Sequence, residues 1–318
     1  MGVSESSHPV AGRDYPRTLA EFDEWFSSEH ACEEFLRRLR WSAGFSCPGC
    51  GGLSGWETTR GLIRCCTCDR QTSITAGTIF EGTRKPLRMW FQAIWYLTNQ
   101  KQGVSALGLQ RVLGLRSYQT AWVWLHKLRR AMVRPGRDRL TGEVEVDETF
   151  LGGEGEEIAG RGTDRSLIVI AAEIRGRATG RIRMAQVEDG SAKSLVSFVE
   201  RTVTPGAVIR TDAWSGYVPL SRSGYRHIPK SLRASRAAGH TVMPRVHRVA
   251  SLLKRWWLGT YHGAISDPHL EYYLDEFTFR FNRRSSRARG LLFYRLIQQA
   301  VSTDPTPYLD LRGGNPNL

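Results

Sequence analysis

No run in this chain approaches 18 apolar residues, which argues against a membrane-spanning helix. The opening segment MGVSESSHPVAGRDYPRT lacks the apolar stretch of a secretory signal, so a cytoplasmic location is expected. Cysteine is sparse: six in 318 residues cannot make a disulfide scaffold. The most uneven shortage is of negative charge. From Gly82 to Arg137 there is no Asp or Glu but eleven Lys or Arg, and from Ala213 to Ser266 again no acid but nine Lys or Arg. The acids gather elsewhere, as in Glu143, Glu145, Asp147, Glu148, Glu154, Glu156 and Glu157. Overall, 45 basic against 31 acidic residues give +14. Acid-free stretches this long exceed what solubility requires and point to a polyanionic partner, nucleic acid foremost. Apolar residues are not lacking: at 41% hydrophobic and 24% charged, the chain is globular and long enough for two or three domains.

What is present divides the chain. A loose tail is expected over 1–15. Helices and a cysteine-bearing segment follow over 16–80, with a helix break near Ser27–Ser28. A helical region over 81–135 is interrupted at Gly103–Ser105 and closed by the linker Pro135–Gly136. Then strands take over, in GEVEVDETFLGG, RSLIVIAAEIRG and GRIRMAQVE, followed by the helix SAKSLVSFVERTV and the strand AVIRTDA. The remainder is expected to be mostly helical to about Val301, giving an α/β domain over 140–301 and a tail over 302–318.

Three groups of residues carry chemistry. Cys47 and Cys50, with Cys65 and Cys68, form CxxC–x14–CxxC. Each pair can fold into a knuckle, and two knuckles complete a tetrahedral sulfur site that suits structural Zn²⁺. Cys32 and Cys66 are spare. Secondly, Ser105 and either Ser117 or Thr120 are placed to cap two short basic helices, as in a helix-turn-helix or an ordinary helical hairpin. On the second helix Gln119, His126, Lys127, Arg129 and Arg130 are expected on the exposed side, with Trp122, Leu125 and Leu128 inward. Thirdly, the strand of Val144, Val146 and Phe150 presents Glu145 and Asp147 on its other face, and an apolar strand ends at Asp212. Each Asp alone could be a turn or cap residue. On neighbouring strands in a β-β-β-α-β order, the pair can hold Mg²⁺ through oxygen, as ribonuclease-H-like folds do for phosphoryl transfer. Glu145 has the parity of Asp147 and is a secondary ligand candidate, whereas Glu148 points to the opposite face.

The motifs CPGC…CCTC, AGTIFEGTRKPLRMWFQAIW, VEVDETFLGG, RTDAWSGY, HRVASLLKRWWLGTYHGAIS and YLDEFTFRFNRR resemble the ISXO-like, DDE-type group of bacterial insertion-sequence transposases over about residues 15–300. The resemblance implies a zinc ribbon, a DNA-binding region and a ribonuclease-H-like core. It also implies cleavage of element ends and joining to target DNA with Mg²⁺, for which Mn²⁺ can substitute. A strict triad would place a Glu on a helix after the second Asp, and here no acid occurs from 213 to 266. The family tolerates Asn or His there, followed seven residues later by Lys, and His247 and Lys254 have that spacing. On a helix His247, Ser251 and Lys254 share one face. His247 is thus expected to complete the site with Asp147 and Asp212, and Lys254 to hold a DNA phosphate. Glu276 is the rival third ligand. Further DNA contacts are expected from Arg248, Arg255, Arg283 and Arg284, beside Asn282, Arg287 and Arg289. Implied partners are double-stranded DNA, as terminal repeats and target, and a second copy of the chain or more, in a nucleoid-associated assembly. Two other readings remain open: a zinc-containing DNA-binding protein with a silent core, and a structure-specific nuclease that cuts without joining.

Overall fold

The computed structural model describes residues 8–134, 136–152, 166–230, 239–262 and 267–313. In the main they form two compact units, Met1–Arg134 with Ser286–Arg312, and Pro135–Ser285.

In the first unit the expected break at Ser27–Ser28 separates α1 (Leu19–Trp25) from α2 (Glu29–Arg40). Thr18 and Ser28 cap them, their hydroxyls accepting the N–H of Glu21 and Ala31. Strands β1 (Gly55–Glu57), β2 (Ile63–Cys65) and β3 (Gln71–Thr72) make an antiparallel ribbon in the order β1-β2-β3. Helix α3 (Leu87–Asn99) starts behind Pro86, which offers no capping side chain. Glu29 of α2 does so instead, its carboxylate accepting the N–H of Leu87 and Arg88. Ser105 caps α4 (Ala106–Leu113) as expected. That helix ends at Gly114, whose φ of +62° a residue with a Cβ adopts only under strain. Helix α5 (Tyr118–Ala131) follows, so residues 105–131 have helix-turn-helix connectivity.

The second unit is built on a five-stranded mixed sheet in the order β6-β5-β4-β7-β8. Strands β4 (Glu143–Leu151), β5 (Ser166–Arg175) and β6 (Ala178–Val187) form an antiparallel meander. Helix α6 (Ala192–Thr202) then crosses to β7 (Val208–Thr211), which pairs parallel with β4, and β8 (Arg226–Pro229) adds a parallel edge. This is the expected β-β-β-α-β order of a ribonuclease-H-like core. β8 lies in the stretch expected to be mostly helical. Its four residues, RHIP, are too few to show alternation, and Pro229 is tolerated because the strand is at an edge. A 3-10 turn spans Ser215–Ser221, and helices α7 (Gly239–Val242), α8 (Pro244–Tyr261) and α9 (Leu270–Asn282) follow.

Val144, Val146, Val169, Ala171 and Ile209 share one core with Leu195, Phe198 and Val199 of α6 and with Tyr217 and Leu220 of the 3-10 turn. Each such aliphatic side chain contributes about 1.5–3 kcal/mol when fully buried. A one-residue slip of β4 would forfeit Val144 and Val146 and drive Glu145 into that core, so apolar burial also sets the face of Asp147. On that other face α8 packs across β4 and β5, and α9 packs on β6. Phe150, expected with Val144 and Val146, is 55% exposed near the end of β4 and takes no part in that core.

After α9 the chain returns to the first unit. Helix α10 (Arg289–Ala300) packs on α2, α3 and α5. Phe293 sits among Phe22, Phe26, Phe91 and Trp95, with ring centroids 5.4, 5.7, 5.9 and 5.4 Å away. Gly290 makes the approach possible: a Cβ there would lie 1.7 Å from the carbonyl oxygen of Pro16. The α/β unit therefore ends at Ser285 rather than near 301. The segment expected as a C-terminal tail holds α11 (Tyr308–Gly313), and Tyr15, expected in a loose tail, is buried. Of the other expectations, the tail residues 1–7 and 314–318, the linker residue Pro135, the end of GEVEVDETFLGG with Glu154, Glu156 and Glu157, and the 263–266 part of the histidine-bearing motif lie outside the described residues.

The return of α10 covers a second side of α5 and overturns the expected exposed face. His126 and Arg129 are fully buried. Arg130 is half-buried and donates to the Thr306 hydroxyl at 2.7 Å. Lys127 is half-buried, and burial lowers its pKa. Trp122 lies half-buried against the His126 ring at 4.1 Å, while Trp124 stacks on Trp90 at 3.9 Å. Of the five polar residues expected outward, Gln119 is the one fully exposed.

Candidate functional site

Two sites emerge, one in each unit. In the ribbon, the Sγ atoms of Cys47, Cys50, Cys65 and Cys68 all lie within 4.8 Å of one another. Cys47 and Cys68 are 3.6 Å apart, as are Cys50 and Cys65. A tetrahedron of sulfurs about 2.3 Å from a central Zn²⁺ has edges of about 3.8 Å, so the group fits zinc. The backbone prepares the thiolates. The N–H groups of Cys68 and Thr67 lower the Cys65 thiol to about 6, and those of Gly49 and Cys50 lower Cys47. Gly52 is required inside the knuckle, since a Cβ would meet Thr67 Oγ1 at 2.8 Å and two of the sulfurs at 3.3 Å. Cys66 is exposed and outside this group, and Cys32 is buried on α2, where burial pushes its thiol up to about 12. No second metal-ligand group this tight occurs among the described residues.

The second site lies where β4 and β7 run parallel. Their register pairs Glu143 with Val208 and Glu145 with Arg210. The paired stretch stops there, but Asp147 and Asp212 follow it at the same end of the two parallel strands, and the charge of Asp212 acts on Asp147. Asp212 Oδ1 accepts the Trp214 N–H at 2.9 Å, an Asx-type turn. Ala213 between them has φ +74°, a strained value for a residue with a side chain, of the kind that gathers at functional sites. His247, in the first turn of α8, brings Nε2 to 3.6 Å from Asp147 Oδ2. Glu148 keeps the expected opposite face, where Tyr217 donates to it at 2.6 Å. Burial, followed by the charges of Glu148 and Asp212, raises Asp147 from 3.8 to about 7. Burial also raises Glu148, and burial together with Glu148 holds Tyr217 protonated.

Such a cluster is destabilising unless a cation offsets it. Because folded Asp147 holds its proton more tightly than an ordinary carboxyl, its contribution to stability is full below about pH 4 and lost as the pH rises to about 7. Without added divalent ion at pH 8, Asp147→Asn should therefore stabilise the second unit by on the order of 2 kcal/mol, a rise of several degrees by calorimetry. The gain should vanish near pH 4; a gain that persists there would assign the effect to packing instead of charge.

Glu145, a secondary ligand candidate by parity, is fully buried and engaged at both oxygens. Oε2 accepts the N–H of Arg245 at 2.7 Å and of Val246 at 3.0 Å, and Oε1 meets the Arg245 guanidinium at 3.2 Å. Glu276, the rival third ligand, is fully buried on α9, paired with Arg280 at 2.7 Å and accepting the Tyr261 hydroxyl at 3.2 Å. Those partners, not the β4–β7 carboxylates, occupy it. Lys254, Arg248, Arg255 and Ser251 are exposed on α8. Arg283 and Arg284 lie over the Phe279 and Phe281 rings, each at 4.0 Å, and donate to backbone carbonyls, so both are at least partly structural. Asn282 exchanges two hydrogen bonds with the backbone of Ile182 and fastens α9 to β6. Strand parity singled out Asp147 and the resemblance singled out His247; the partners of Glu145 lie 100 and 101 residues away in the chain and left no local signal, whereas Arg280, four residues after Glu276 on one helix, left one.

Residues 139–282 match the ISXO2-like transposase domain, and residues 27–71 match the transposase zinc-ribbon domain. The first match runs from just before β4 to the end of α9, close to the limits of the second compact unit. The chain is also 26% identical, over 277 residues, to an uncharacterized protein in transposable element ISH50 of Halobacterium salinarum, covering 80% of this chain and 91% of that protein. Among the described residues no helix is long and apolar enough to cross a membrane. With a four-cysteine ribbon ahead of a five-stranded mixed sheet, and with the two matches falling on those parts, the chain carries an ISXO2-like, DDE-type transposase domain behind a transposase zinc ribbon.

Proposed function

We propose that this transposase hydrolyses a phosphodiester at each element end and joins the freed 3′-OH to target DNA. The observation that carries the reading is the placement of Asp147, Asp212 and His247 where β4, β7 and α8 meet. Asp147 and Asp212 would hold Mg²⁺, or Mn²⁺ in its place, with His247 as third ligand. Two donors on one such ion stand about 3 Å apart, close to the His247–Asp147 separation. The ion supplies charge stabilisation at the transferring phosphoryl group. Lys254, Arg248 and Arg255 on exposed positions of α8 hold DNA phosphates beside the site, and Gln119 on α5 contacts the duplex. Arg129 is withdrawn from that surface by its burial. Arg283 and Arg284 contribute only with the guanidinium faces left after their backbone bonds. Pairing two ends requires at least a dimer on DNA, in the nucleoid.

The test is a cleavage and strand-transfer assay with the full chain and duplexes carrying the element's own ends. His247→Ala should lower cleavage by about 10²-fold, on the scale of losing one metal-orienting group. His247→Glu should retain more activity, because carboxylate oxygen suits Mg²⁺ better than imidazole nitrogen. Binding without Mg²⁺-dependent cutting would favour a silent DNA-binding protein, and cutting without joining would favour a nuclease.

A further inference from the structure

Helix α8 begins without a cap of its own. Met243 precedes it and makes no side-chain bond, and Pro244 at the first position has no N–H to offer. The next two N–H groups, of Arg245 and Val246, point at Glu145 on β4. A buried helix start left without acceptors is costly, and a carboxylate also suits the positive end of the helix dipole. Arg245 tightens the joint, reaching Glu145 Oε1 at 3.2 Å and the Gly176 carbonyl at the β5–β6 turn at 2.6 Å. Glu145 and Asp147 are two residues apart on one face of β4; Arg245 and His247 are two residues apart at the start of α8. The two links therefore run side by side.

We infer that Glu145 is a positioning residue that clamps the start of α8 and so sets His247 against Asp147. This rests on the metal site proposed above. The same device occurs in the first unit, where Glu29, outside the four-sulfur group, caps α3 behind Pro86, so a carboxylate on a bare helix start serves there as a capping element without being a metal ligand.

The test is Mn²⁺ affinity of the full chain, read by electron paramagnetic resonance, in a double-mutant cycle. Glu145→Ala should weaken Mn²⁺ binding by about tenfold, as loss of a ligand-orienting partner does. Glu145→Gln, which keeps one acceptor for the helix N–H groups, should lose less. In a His247→Ala background, Glu145→Ala should add less than about a twofold loss, because its effect passes through His247. Thermal unfolding and zinc content report folding, and Glu145→Gln in both backgrounds carries the test if Glu145→Ala does not fold. Multiplying losses would make Glu145 an independent ligand and overturn the inference. An unchanged affinity in the folded Glu145 variants, with His247→Ala still weakened, would overturn it alone. If Asp147→Ala and His247→Ala also bind Mn²⁺ normally, the metal site falls and the inference with it.

Discussion

Asp147→Ala and Asp212→Ala are each expected to lower end cleavage by about 10³-fold or more while DNA binding persists. Either change removes a negative oxygen donor from the carboxylates at the ends of the β4–β7 pair, where the charge of Asp212 acts on Asp147. A metal clamp contributes several kcal/mol to the transition state, and about 1.4 kcal/mol is a factor of ten in rate. Binding depends on the basic surface and should survive, with an unchanged slope of log affinity against log salt. The measurement is single-turnover cleavage at saturating protein, beside a salt titration of binding. Wild-type cleavage in either variant would remove these aspartates from the chemistry. Loss of folding would make them structural, but the raised Asp147 pKa argues for the reverse, since that carboxylate destabilises its own surroundings.

Cys65→Ser should lower zinc from about one per chain to near none and unfold the ribbon. Around the four sulfurs the ribbon has three short strands and few large buried side chains, Ile63 among them. Structural zinc supplies about 10–16 kcal/mol in small zinc-binding peptides, more than such a sheet can replace. Cys65 is a severe choice because it is fully buried at the end of β2 and its thiolate is held by two backbone N–H groups. Hydrogen exchange should show β1–β3 unprotected and β4–β8 unchanged, since the latter belong to the other compact unit. Full zinc retention in this variant would refute the four-sulfur site.

Local pattern made the four ribbon cysteines and the two faces of β4 legible. Two CxxC pairs announce themselves by spacing, and alternation of Val144, Glu145, Val146 and Asp147 assigns each to a face of one strand. The resemblance singled out His247 and Lys254, and their seven-residue spacing fits the one helix, α8, on which both lie. The failures share a different cause, contact between segments distant in the chain. Arg129 looks like a surface cation, but α5 packs against α4 and α10 and Arg129 is fully buried. Glu145 looks like a ligand until the start of α8, a hundred residues on, takes both its oxygens. β8 is four residues at an edge, paired to β7 by backbone bonds that its side chains do not advertise.

The return of α10 makes the sheet unit an insertion within the first unit. A ribosome works from the N-terminus, and domains commonly fold as they emerge. Here residues 135–285 can be complete while the earlier helices still wait for Phe293 to fill the space among Phe22, Phe26, Phe91 and Trp95. A message truncated before codon 289 would thus yield a chain with both aspartates and all four ribbon cysteines, yet with an aromatic core left open. Synthesis order alone then delays the helix-turn-helix unit until nearly the whole polypeptide has been made.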